Sequence, residues 1–221
     1  DGNFDIYMQY LLGNGDPYFT TSPQGLALTT LASSQTKPRV KADESGAYII
    51  WYSNEDLYAQ KVIMSQESPI VWDSEGIAIC DANSEQTGAR LTTDNQGGVY
   101  IAWEDARSED SSDVYLQHIN SNNQISFDAN GLVVSNANLN QQGAVVRADD
   151  TGNVFIFWED RRVGSPGIYV QNIDSSGNLN IIENGVEIYY GVDGVTTNIN
   201  SERLDNGQVL VYWEDGQGGS Q

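Results

Sequence analysis

Trp103, Trp158 and Trp213 each close an apolar run, and Glu-Asp follows each of them: Val99 to Asp105, Val154 to Asp160, Val209 to Asp215. A fourth copy, Tyr48-Ile49-Ile50-Trp51, lacks the acidic pair. The tryptophans at 51, 103, 158 and 213 are separated by steps of 52, 55 and 55 residues. A fixed period near fifty residues marks a repeat architecture, in which each unit buries its apolar face only against its neighbours.

Four short strand signals recur in order within each period. The first, A, runs into an Asp/Asn-Gly turn: Arg39 to Asp43, Arg90 to Asp94, Val145 to Asp149 and Glu202 to Asp205. Such turns suit Asp, which bonds its own backbone, and Gly, which accepts positive φ. Strand B is the apolar run ending in Trp, and its continuity predicts burial on both faces. Strand C alternates a Tyr with a Gln two residues on, at Tyr7-Gln9, Tyr58-Gln60, Tyr115-Gln117 and Tyr169-Gln171. Period two places both side chains on one face. Strand D follows a glycine at Gly25, Gly76, Gly131 and Gly185.

Antiparallel sets of four strands per ~50 residues describe an all-β β-propeller. A β-helix is the runner-up, but its repeats are shorter and parallel. The chain opens on a C-D pair and ends on an A-B pair. The expected fragments are 1–34 (C-D), 35–83, 84–138, 139–192 and 193–221 (A-B), within one domain spanning 1–221. The two end fragments together make a fourth blade shared between the termini; otherwise the chain is a segment of a larger propeller, completed by further repeats or by another chain. The ends, Asp1-Gly2-Asn3 and Gly218-Gly219-Ser220-Gln221, read as the inside of loops, so a processed protein or a segment is expected.

Composition narrows the function classes. Thirty-one acidic against 10 basic residues give a formal charge of −21. A nucleic-acid footprint needs the opposite sign, and an anionic membrane surface would repel the chain. No apolar run approaches the ~18 residues of a membrane span. Cys80, the single cysteine, lies in an apolar run and reads as a buried thiol. With one His, His118, and one Cys, no His- or thiolate-based zinc set forms. Neither a phosphate loop nor an EF-hand spacing occurs.

The repeat pattern resembles that of propeller-type repeats in large secreted and cell-surface proteins of Bacteroidota. It reads D-x-x-G-G-x-x-x-x-W-E-D-x-R, then D-[IVL]-Y-x-Q, and is fullest at Asp94 to Arg107 and Asp149 to Arg161/Arg162. That resemblance implies secretion or an outer-membrane-associated surface location, reached through the type IX system. The turns also partly resemble the Asp-box of sialidase-type propellers, without its Ser/Thr and Trp in place.

The Glu-Asp pairs at 104–105, 159–160 and 214–215 invite a catalytic reading. Their recurrence favours architecture, with Arg107 and Arg161 as ion-pair partners of Asp105 and Asp160. Adjacent strand residues also face opposite ways, so the two carboxylates of a pair would not share one site. Trp51, Trp103, Trp158, Trp213, Tyr7, Tyr58, Tyr115 and Tyr169 are read as structural. Propellers bind through loops that differ between blades, which singles out Glu109, Asp110, Asp113, Arg161, Arg162, Tyr189, Tyr190 and Asp193. No metal or cofactor is expected; the acidic loop Glu109 to Asp113 is the one place a Ca²⁺ is conceivable. The resulting expectation is a non-enzymatic binding or scaffolding module for a protein partner. The alternative is a glycan-binding or glycan-hydrolysing propeller, lectin or sialidase-like.

Overall fold

The computed structural model describes residues 3–20, 24–29, 31–63, 68–108, 111–191 and 195–216. Every described strand pairing is antiparallel, and among the described residues no helix is long and apolar enough to cross a membrane. Two compact units divide the chain at Asp81/Ala82. The first holds β1 (Tyr7–Met8) paired with β2 (Leu26–Ala27), then the sheet β3 (Gln35–Asp43), β4 (Gly46–Ser53), β5 (Asp56–Val62) and β6 (Ile77–Cys80). The second begins with β7 (Gln86–Thr93), β8 (Val99–Asp105), β9 (Asp113–Ile119) and β10 (Leu132–Ser135). A further sheet, β11 (Gln141–Ala148), β12 (Val154–Val163), β13 (Ser165–Ile173) and β14 (Val186–Tyr190), follows, and then the pair β15 (Val195–Arg203) and β16 (Val209–Gly216).

In each four-stranded sheet the strands neighbour one another in sequence order, the A-B-C-D order expected of propeller blades. Local chemistry fixes the hairpins. Asp94 Oδ1 accepts bonds from the backbone N–H groups of Gln96 and Gly98, both at 2.8 Å, and Asp149 does the same for Thr151 and Asn153. The strand-C glutamines tie C to D. Gln117 Nε2 donates to Asp128 O while its Oε1 accepts from Phe127 N, and Gln60 and Gln171 repeat the arrangement.

The A strands begin earlier than the sequence pattern suggests, at Gln35, Gln86, Gln141 and Val195. A β-bulge interrupts each, at a residue with positive φ: Lys37 (53°), Gly88 (64°), Gly143 (65°) and Asn198 (54°). A bulge adds one residue and breaks the period-two alternation, so only the half beyond it reads as a strand.

Within the second unit the first strands β7, β11 and β15 lie side by side. Tyr100, Ala102, Val114, Leu116, Ala144, Val146, Ile156 and Trp158 form one continuous core across its first two sheets. In the first unit Ile6 and Leu28, flanking β1 and β2, pack on Ile49, Trp51 and Val62.

Candidate functional site

The repeated tryptophan sets the local chemistry. Trp103 is fully buried, and a buried indole N–H needs an acceptor. Asp105, two residues on and thus on the same strand face, accepts it at 2.9 Å. Arg107 then neutralises Asp105, with Nε on Oδ1 at 2.8 Å and a terminal nitrogen on Oδ2 at 2.5 Å. The guanidinium lies 3.9 Å from the ring centroid of Tyr115, which in turn stacks on Trp103. Burial alone would raise the Asp105 carboxyl, but the Arg107 and Trp103 bonds outweigh it and hold it below its ordinary 3.8.

Trp158, Asp160 and Tyr169 repeat this arrangement with Arg162, not Arg161, over the tyrosine at 4.0 Å. Arg161 instead bonds Glu159 at 2.9 Å. The expected pairing of Arg161 with Asp160 is corrected by one residue, because Arg162 stands two positions beyond Asp160, as Arg107 does beyond Asp105. In the first unit Ser53 stands in the Asp position, and Trp51 Nε1 has no hydrogen-bond partner among the described residues.

The glutamates turn the other way, toward the A-strand bulges. Glu104 accepts the backbone N–H of Gly143 on the next sheet at 2.8 Å. Glu159, 4% exposed, accepts from Gln142 Nε2 at 2.7 Å. Glu214 is exposed and accepts from Asn198 Nδ2 at 2.8 Å. Since β7, β11 and β15 are neighbours, the second unit brings three carboxylates to one end of its first strands. Each retains free lone pairs, and the three are held by a backbone amide with the Thr87 hydroxyl at 3.5 Å, an Arg-plus-amide pair and a side-chain amide. Sequence reasoning grouped each Glu with its Asp as architecture. The bulge partners were invisible because the first half of each A strand went unread.

The loop candidates scatter. Glu109, Asp110 and Asp193 lie outside the described residues. Asp113 is buried, bonded by Ser108 Oγ, and burial raises its carboxyl with Asp105 adding to the effect. Arg162 is committed to the Trp158 stack. Tyr189 donates to Asp215 Oδ2 at 2.7 Å and packs on Trp213, whereas Tyr190 is half exposed. His118 is buried, stacked on Tyr100 and bonded through Nε2 to Asp94 at 2.9 Å. Burial works against the Asp94 charge, but the bonds from His118, Gln96 and Gly98 prevail and lower its pKa. Among the described residues no three metal-ligating side chains gather.

No family model and no curated protein matches the sequence. Among solved structures the chain is similar to an endo-arabinase from Bacteroides thetaiotaomicron, at 13% identity and a TM-score of 0.49, over 85% of this chain and 73% of that one. It is also similar to a glycosyl hydrolase from Bacteroides ovatus, at 9% identity and a TM-score of 0.49, over 98% and 71%. A thermostable family-43 glycoside hydrolase shares 11% identity at a TM-score of 0.47, over 83% and 66%. Likenesses this distant concern the fold. The expectation of a non-enzymatic protein-binding module is corrected at this point: the solved structures to which the chain is similar are an endo-arabinase and glycoside hydrolases.

Proposed function

We propose that this chain is a glycan-acting propeller, with Glu104, Glu159 and Glu214 as the carboxylates that meet the sugar. One observation carries the reading: three carboxylates with three different sets of partners sit at the bulged ends of adjacent first strands, while the neighbouring Asp105 and Asp160 are spent on tryptophan and arginine and Asp215 on Tyr189. Glycoside hydrolysis needs two carboxyl groups flanking the scissile bond, with environments that separate their roles. Glu104 and Glu214, the less buried two, flank Glu159 through the strand order β7-β11-β15. A polymeric glycan does not cross a cell envelope, so the place of action we infer is the cell surface or exterior; export by the type IX route of the resembled repeats is part of this proposal.

The test is reducing-sugar release from a panel of polysaccharides, arabinan and xylan among them, by the intact chain. Glu104→Gln, Glu159→Gln and Glu214→Gln are assayed separately, with circular dichroism as the control for folding. Loss of one essential carboxylate lowers the rate by at least about 10²-fold, the scale of general acid–base assistance. Absence of release from every polymer, or three variants as active as the parent, removes the proposal.

A further inference from the structure

The first unit keeps the repeated tryptophan without the two residues that serve it elsewhere. Trp51 is paired in register with Tyr58, as Trp103 is with Tyr115 and Trp158 with Tyr169. The rings stack at centroid distances of 6.1, 5.9 and 6.2 Å. The indole also keeps its orientation. A Cβ on Gly76, Gly131 or Gly185 would run into the same ring edge, Cη2 and Cζ2, of Trp51, Trp103 or Trp158. Trp51 Nε1 therefore points to the place where Trp103 Nε1 and Trp158 Nε1 find Asp105 and Asp160. Ser53 stands there instead, and its hydroxyl is engaged by Ser33 Oγ. Trp51 is fully buried, and its N–H has no hydrogen-bond partner among the described residues.

Turn length explains the missing arginine. Arg107 lies in a long B-to-C connection, between the paired residues Asp105 and Asp113. In the first unit Ser53 and Asp56 are paired across a turn of Asn54 and Glu55 alone. Among the described residues no Lys or Arg stands over the Tyr58 ring. In the complete stacks the guanidinium meets three groups. These are the tyrosine face at 3.9 or 4.0 Å, the aspartate, and the carbonyl of Asn130 or Asn184 at 2.9 or 2.7 Å. The first unit retains the face, and it retains the carbonyl as that of Glu75, which precedes Gly76 as Asn130 precedes Gly131. It also adds negative charge: burial raises the Tyr58 hydroxyl, and the carboxylates of Asp56, Asp81 and Glu75 raise it further. All of these residues belong to the first unit, so the seat is defined within one compact body.

We propose that the Tyr58 face is a binding site for a guanidinium group carried by another molecule, seated between the ring, the Glu75 carbonyl and the carboxylates of Asp56 and Glu75. A guanidinium suits this seat better than an ammonium. Its plane lies on a ring while its edge donates several bonds at once, whereas an ammonium is a compact, strongly hydrated point charge. An arginine side chain of a polypeptide and a small guanidino solute present the same group.

Agmatine and a blocked tripeptide, acetyl-Gly-Arg-Gly-amide, are titrated into the intact chain, and the indole N–H signals are followed by ¹H–¹⁵N correlation. Both are expected to bind saturably and to move the Trp51 signal, assigned by its Overhauser contacts to Tyr58. The Trp103 and Trp158 signals stay in place. A peptide bound more tightly than agmatine assigns the guanidinium to a polypeptide; otherwise the source is a small solute. Tyr58→Leu, with circular dichroism as the control for folding, weakens binding about tenfold, the scale of a partly desolvated cation–π contact. Glu75→Gln, at an exposed position, weakens it about threefold, the scale of an exposed charge pair. Ser53→Asp, which restores the carboxylate of the complete stacks, tightens it. Absence of saturable binding overturns the proposal. So does cadaverine, a diamine, bound as tightly as agmatine, or an affinity indifferent to both Tyr58→Leu and Glu75→Gln.

Discussion

Trp103 and Trp213 occupy the same place in the repeat and live in different surroundings. Around Trp103 a four-stranded sheet is complete: the indole is fully buried, its N–H meets Asp105, Tyr115 stacks on it, and Arg107 closes the stack. Trp213 sits in a two-stranded sheet, is only partly buried, and finds Tyr189 of the preceding sheet at 5.1 Å in a tilted contact. Asp215 is taken by Tyr189 as well. One motif thus gives a sealed core in one place and a partly covered edge in another. The difference comes from which strands lie alongside and from the arginine of W-E-D-x-R, whose place in the third copy is taken by Gln217.

The largest effect should come from the tryptophans themselves. Trp103→Ala is expected to cost about 3–5 kcal/mol, as fully buried aromatics do, while Trp213→Ala should cost less than half as much. Urea denaturation followed by circular dichroism checks this; equal losses would mean that the two environments are energetically alike. Next comes the carboxylate. Asp105→Ala strands a partly buried guanidinium and an indole N–H, for a loss of about 3 kcal/mol or more.

The Asp105 effect carries a pH signature. Its folded pKa lies below the ordinary 3.8, so its contribution is fully present above that value and fades as pH falls through the folded one. The stability deficit of Asp105→Asn should therefore be constant near neutrality and shrink below about pH 4, the unfolded carboxylate range. A deficit that grows on acidification would reverse the sign and remove the ion pair from the account.

Smaller effects separate two glycines of positive φ. A Cβ on Gly131 would run into the Trp103 ring, whereas one on Gly143 meets open space. Gly131→Ala should cost about 2 kcal/mol or more, from steric overlap added to backbone strain. Gly143→Ala should cost about 1 kcal/mol, the left-handed backbone penalty alone. Thermal unfolding compares them, and equal shifts would show that the ring yields.

Much of this was legible in residues. The spacing of Trp51, Trp103, Trp158 and Trp213, the Asp-Gly turns and the Tyr-x-Gln alternation identify the strands and their order, because each is a local steric or hydrogen-bonding demand. Gln35, Gln86 and Gln141, which cap the starts of the A strands by donating to nearby carbonyls, recur 16, 17 and 17 residues before their tryptophans and could have been found by spacing. The candidate carboxylates were less accessible. Glu104 and Asp105 are neighbours in sequence, and nothing in composition says that one serves an indole and the other a bulge on the next sheet. The loop set chosen for its irregularity fared differently again: Asp113 proved buried and Arg162 structural, since an irregular loop can still fold its charges inward.

The chain alone determined the repeat, the antiparallel strand order and the positions that must be buried, all set by periodicities that the backbone imposes within a few residues. Tertiary structure decided which carboxylate faces which partner, which tryptophan is sealed and which edge stays open. Those depend on contacts between residues far apart in the chain, such as Glu104 with Gly143, 39 positions on, and no local pattern encodes the neighbour that a side chain will meet.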